Sequence, residues 1–314
     1  MRDTFIKRLC ELAEQDPAIM LITGDLGFKV LDEFRERFPK QFLNAGIAEQ
    51  NMTGLATGLA LEGYTVFTYS IANFTFMRCL EQIRNDAAYH DCNVNVVSVG
   101  GGLSYGSLGI SHHATEDLTI MRSLPNVEVL VPCDNWETTE LTTEIAKRPG
   151  VSYLRLDKST AGETQRPGET FEYGKARVLR EGTDVTIAGT GGIVGDVLKA
   201  ADALAQDGIS VRVLSLHTVK PLDTDTLATA CRETGGLITV EEHTIEGGLG
   251  GAVAEALFEQ GAQPGFFHRV GLRAGFSSTV GSQQYLRSVY GLDTNAIADA
   301  VRQRVGRRQL RRVA

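Results

Sequence analysis

Short apolar runs alternate with segments of helical periodicity along the first half of the chain. Ile19 to Thr23 precedes a helical pattern at Leu31 to Phe38, Thr65 to Tyr69 precedes Met77 to Ala88, and Val94 to Val99 precedes Glu116 to Arg122. Val127 to Val131, then Trp136 to Ala146, then Tyr153 to Leu156 close the series. Runs this short and rich in Val, Ile and Thr have the length of buried strands. Strands that alternate with helices favour parallel pairing, because each crossover needs a long connection.

Between Asp157 and Gly182 the chain turns polar and rich in turn formers, KSTAGETQRPGETFEYG, which predicts a linker. A second alternating series follows, with strands at Val185 to Ala188, Val211 to Ser215 and Leu237 to Val240. Its helices are expected at about Val194 to Gln206, Asp225 to Thr234 and Gly250 to Glu259. The pattern predicts two α/β domains, each a mostly parallel sheet flanked by helices, at residues 1–160 and 182–314 with a linker at 161–181. A length of 314 residues also exceeds what one hydrophobic core usually serves. The Gly189, Gly191, Gly192, Gly195 turn has its last glycine one position late for a dinucleotide fingerprint, so it predicts a tight strand-to-helix turn and no nicotinamide cofactor. Glu246 to Gly251 is likewise expected to be close packing at a helix start.

Charge narrows the partners. The net charge of -8 and pI near 5.4 give no general basic footprint for nucleic acid. Cys10, Cys79, Cys92, Cys133 and Cys231 are scattered and odd in number, as reduced thiols would be, and offer no zinc spacing. No stretch reaches the roughly 18 apolar residues of a membrane span, so a soluble, cytoplasmic protein is expected, with no membrane partner. Six arginines from Arg302 to Arg312 predict a solvated C-terminal tail.

The densest chemistry lies at residues 46–52, GIAEQNM, where one carboxylate, Glu49, stands at the junction of an apolar segment with a helix rich in Gly, Ala and Thr. Taken with Gly24-Asp25-Leu26-Gly27, Glu81-Gln82-Ile83-Arg84 and Ser111-His112-His113 in that order, the chain resembles the C-terminal half of transketolase. Residues after about 180 are similar to that family's last domain. The resemblance implies a thiamine diphosphate enzyme with a pyrimidine-binding domain followed by a transketolase C-terminal domain. By the same resemblance, Glu49 is the carboxylate that hydrogen-bonds the cofactor's pyrimidine nitrogen. Phe74 is the stacking candidate, Ile71 and Met77 stand where the family often has aromatic residues, and Asp25 resembles the acidic residue near the thiazolium. His112 matches the histidine facing the substrate carbonyl, where it can donate a hydrogen bond or proton, and His113 is a weaker substrate candidate.

Two departures from the family bear on substrate and assembly. Leu108 and Gly100 occupy positions where the family often carries an aspartate and a histidine for sugar hydroxyls and phosphate. A modified or nucleotide-linked sugar therefore enters consideration, with Arg155 and Lys158 as a compensating anion site. The GDG-to-Asn pairing that holds Mg²⁺ or Ca²⁺ and the diphosphate in such enzymes has no counterpart here. The resemblance thus implies a separate α subunit carrying that half, self-association through this chain, and a heterotetramer, with no metal ligand expected in this chain. Two other functions stay open: the β subunit of a 2-oxo acid dehydrogenase decarboxylase, and a non-catalytic homologue that binds a partner; deoxyxylulose-phosphate synthase shares GIAEQ but needs its own N-terminal half in the same polypeptide.

Overall fold

The structure is a computed structural model that describes residues 1–273 and 275–313. Side chains from residue 307 onward lie outside that description, so the solvated arginine tail expected at Arg307, Arg308, Arg311 and Arg312 falls outside the described residues.

Twelve strands form two sheets among the described residues. In the first half they are β1 (Ile19–Thr23), β2 (Phe42–Asn44), β3 (Thr65–Ile71), β4 (Val94–Val99), β5 (Val127–Leu130) and β6 (Val151–Leu156). The second half supplies β7 (Arg177–Arg180), β8 (Val185–Gly189), β9 (Val211–Ser215), β10 (Thr218–Lys220), β11 (Leu237–Thr244) and β12 (Phe267–Leu272). The first sheet has the order β10-β5-β6-β4-β3-β1-β2 and is parallel except for β10 against β5. The second has the order β12-β11-β8-β9-β7 and is parallel except for β7.

Strands β1, β4, β8 and β9 are apolar or Thr/Ser-rich runs buried along nearly their whole length. Burial on both faces is what parallel sheets covered by helices require. Three elements depart from the sequence pattern. Arg177–Arg180, within the stretch expected as a linker, is an edge strand whose Arg177 is held by Glu137 and Glu169. Thr218–Lys220 joins the first sheet although it follows three strands of the second. The helix expected at Met77 to Ala88 breaks into a short turn at Leu80–Gln82 and a π-helical segment at Ile83–Ala88.

The parallel arrangement delivers function to one edge. Gly24 and Asp25 follow β1, Phe74 follows β3, the Gly100 to His113 loop follows β4, and Lys158 follows β6. These are carboxyl ends of neighbouring strands, where ligands of α/β sheets bind.

Candidate active site

Glu49 is the first residue of the helix Glu49–Leu61, and only 5% of it is exposed. It owes that burial partly to Gly24, where a Cβ would lie 3.4 Å from Glu49 Cγ. Arg78 Nη1 donates to Glu49 Oε1 at 3.0 Å, and the same guanidinium lies 4.2 Å from the Phe74 ring centroid. The Phe74 ring meets His112 edge-on at 5.4 Å, His112 meets Tyr105 at 6.2 Å, and Lys158 Nζ caps the Tyr105 ring at 3.8 Å. Glu49, Phe74, His112, Tyr105 and Lys158 therefore form one row. At its far end, Lys158 and Tyr105 line a cavity of about 400 Å³ with Arg2, Val99 and Asn135.

His112 is half-buried, and its pKa is lowered, first by burial and then by neighbouring His113. The imidazole is thus biased toward its neutral form. Ser111 Oγ lies 2.9 Å from Nδ1; when the hydroxyl donates there, Nε2 carries the proton and becomes the donor. Asn73 fixes the loop beneath by donating to the carbonyls of Ser111 at 3.1 Å and His113 at 2.8 Å.

Two expected substrate contacts are corrected by burial. His113 is 1% exposed, with Nε2 3.3 Å from the Gly106 carbonyl, so it backs the loop instead of facing a substrate. Arg155 is equally enclosed. It donates to Asp117 and Asp157 at 3.2 Å each and to the Glu242 carbonyl at 2.9 Å, which leaves no open face for a substrate anion. Alternation along β6 predicts a side, but not how deeply that side is covered. Lys158 is the exposed member of that pair, and its pKa is lowered by partial burial and then by Arg2.

Asp25 is exposed beside Gly24, at φ 54°, and exchanges bonds of 2.9 and 3.0 Å with Asn44. Such a left-handed conformation at an aspartate needs this local support. Ile71 ends β3 half-buried, whereas Met77 is exposed beside Arg78. Ile47, Leu55 and Met77, on the segments that carry Glu49 and Arg78, are exposed apolar side chains. Arg78, Tyr105 and Asn73 were missed as site residues. For two of them the signal was spacing: Asn73 precedes Phe74 on a short helix, and Arg78 follows it by four residues in the turn after that helix.

A planar, hydrogen-bonding ring fits between Glu49 and Phe74, since a planar guanidinium already makes both contacts. Cys133, Asp134 and Glu137 also converge, but Asp134 caps a helix and Glu137 bonds the Cys133 N–H and Arg177. No helix among the described residues is long and apolar enough to cross a membrane.

Fold and site together define the pyrimidine-binding and C-terminal halves of a thiamine diphosphate enzyme. Residues 1–163 match the transketolase pyrimidine-binding domain and residues 174–299 the transketolase C-terminal domain. The chain belongs to the transketolase family, as the C-terminal (β) subunit of a split transketolase. It is 39% identical to one of the subunits of an apulose-4-phosphate transketolase from Phocaeicola vulgatus, over 82% of this chain and 83% of that one. It is 36% identical to a 6-deoxy-6-sulfo-D-fructose transketolase subunit of Clostridium sp. (strain MSTE9), over 99% and 96%. A solved split-gene transketolase, described as an inactive β4 tetramer, superposes with a TM-score of 0.86 at 37% identity and 97% coverage of both chains.

Proposed function

We propose that this chain, assembled with a separate subunit that holds the diphosphate and its Mg²⁺ or Ca²⁺, transfers a two-carbon ketol unit from a ketose donor to an aldose acceptor. The observation that carries this reading is the row from buried Glu49 through Phe74 to His112, with Ile47, Leu55 and Met77 exposed on the segments that carry Glu49 and Arg78. Exposed apolar side chains on those segments suit a protein partner.

When bound, thiamine diphosphate would supply a carbon nucleophile for the ketol unit. Glu49 would hydrogen-bond the pyrimidine ring and share a proton with its nitrogen. Phe74 offers a flat apolar face that orients the ring. His112, neutral and able to donate from Nε2, stands where negative charge develops on the substrate oxygen. Asp25 and Ile71, at the ends of neighbouring strands, are assigned to the cofactor's surroundings, and exposed Met77 to the surface that the partner covers. The substrate's far end extends toward Lys158, which supports a sugar with an anionic or modified terminus. Leu108, exposed on the same loop, provides an apolar contact in place of a hydroxyl acceptor.

Calorimetry tests the composite site. Thiamine diphosphate with Mg²⁺ is titrated into the chain by itself and into its mixture with the diphosphate-binding subunit. Tight binding only in the mixture, followed by ketol transfer in a donor screen, is expected. Tight binding by the isolated chain, or decarboxylation of a 2-oxo acid by the mixture, contradicts it.

A further inference from the structure

Three consecutive glycines, Gly100 to Gly102, open the loop that ends in His112, and each is required by a different neighbour. A Cβ on Gly100 would lie 2.1 Å from the Tyr105 ring, on Gly101 1.8 Å from Arg155 Nε, and on Gly102 2.5 Å from Glu242 Oε1. Gly100 and Gly102 also have φ of 87° and 61°. The loop is thus pressed against charged groups at a distance only glycine permits. One of those groups, Glu242, comes from β11 of the other sheet.

Glu242 is 2% exposed, and a buried carboxylate must be fully hydrogen-bonded. Its Oε1 accepts from the Leu103 N–H at 2.6 Å and from Gln283 Nε2 at 2.8 Å, while Arg287 closes the other oxygen. Gln283 also donates to Ser104 Oγ at 3.2 Å. Farther along the loop, the Gly106 carbonyl accepts from the Gly281 N–H at 3.2 Å, and His113 Nε2 approaches the same oxygen. Leu286 packs so closely on Gly106 that a Cβ there would lie 2.4 Å from it. The loop therefore has anchors at Leu103, Ser104 and Gly106, all from the C-terminal domain, before it reaches His112.

We propose that Glu242 and Gln283 are positioning residues for the proposed ketol transfer, holding the Gly100 to His112 loop so that His112 keeps its place beside Phe74. This rests on the function proposed above. It also gives the C-terminal domain a role in placing a side chain of the other domain. Charge-assisted bonds to a backbone N–H are the stronger kind, and such an anchor directly after three consecutive glycines restricts the segment most able to move.

Gln283→Ala removes the bonds to Ser104 and Glu242 without uncovering a charge; Glu242→Gln keeps the shape and weakens the acceptor. Hydrogen–deuterium exchange on the isolated chain is expected to be faster at residues 101–113 in both variants. In the assembled enzyme, kcat is expected to fall roughly tenfold to a hundredfold with thiamine diphosphate affinity nearly unchanged, as a misplaced group costs. The limb of the pH–rate profile that reports His112 should move as well. Wild-type exchange at 101–113, or wild-type kcat despite faster exchange, overturns the proposal. If Glu242→Gln does not fold, Gln283→Ala decides. A wild-type assembly without ketol transfer sinks the proposed function, and loop exchange then judges the anchor on its own.

Discussion

The Arg78 guanidinium makes, with Glu49 at 3.0 Å and with the Phe74 face at 4.2 Å, the two contacts that the proposed mechanism assigns to the aminopyrimidine. The two cannot be in place together. Arg78 is half-exposed, so its pair with Glu49 is worth no more than about 1 kcal/mol, and stacking adds about 0.5–1 kcal/mol. Arg78→Met is expected to tighten thiamine diphosphate binding by the assembled enzyme about fivefold to tenfold. The isolated variant should melt below the wild type because Glu49 loses its partner. Weaker cofactor binding in calorimetry would mean that Arg78 helps to hold the cofactor.

Glu49→Gln leaves the helix start and its packing intact but removes the proton acceptor. Ketol transfer by the assembled enzyme is expected to fall about 10²- to 10⁴-fold. Subunit association, followed by light scattering, should be unchanged. Full activity in this variant would remove the centre of the proposed mechanism.

Lys158 is the exposed cation at the far end of the site row. Lys158→Met is expected to raise KM for a sugar with an anionic terminus about tenfold, as loss of a charge-assisted bond does. An uncharged sugar of equal length should show little change. Equal effects on both substrates in steady-state kinetics would place the sugar's end elsewhere.

His243 links the domains as a neutral ring. Its Nε2 accepts from the N–H groups of Leu118 and Thr119, at 3.2 and 3.4 Å, and Nδ1 donates to the Thr244 carbonyl at 2.7 Å. Burial lowers its pKa to about 4, against the opposing pull of Asp117 and with some help from Arg155. A depressed folded-state value means that stability is fully present above the unfolded value near 6.5 and is lost as pH falls toward 4. The contribution is on the order of 3 kcal/mol. Neighbouring Glu241, pushed up to about 7 by burial, acts in the opposite sense, since its contribution is lost as pH rises from 4.5 through 7. Urea unfolding of wild type and His243→Gln therefore isolates the histidine, and their stability difference should shrink between pH 6.5 and 4. A constant difference would show that His243 does not titrate there.

Local pattern was enough for eight of the ten strands in parallel pairs, Phe42–Asn44 and Phe267–Leu272 being unmarked by it, and for placing Glu49 at a helix start. Ile19–Thr23, Val94–Val99 and Val211–Ser215 are short, Val/Ile/Leu-rich runs, and GIAEQNM places its carboxylate at a strand-to-helix junction, so neighbours along the chain carry the information. Burial depth and partners from distant segments were not legible in this way. Arg155 reads as a free cation until Asp117, Asp157 and Glu242 surround it. The Leu103 N–H meets its acceptor 139 residues away, because the two sheets pack with β11 behind the loop after β4. Hydrophobic periodicity decides which elements form and which face they bury. The order of strands in the sheets and the packing of one domain on the other decide which charges meet, and with them which side chains remain open for chemistry.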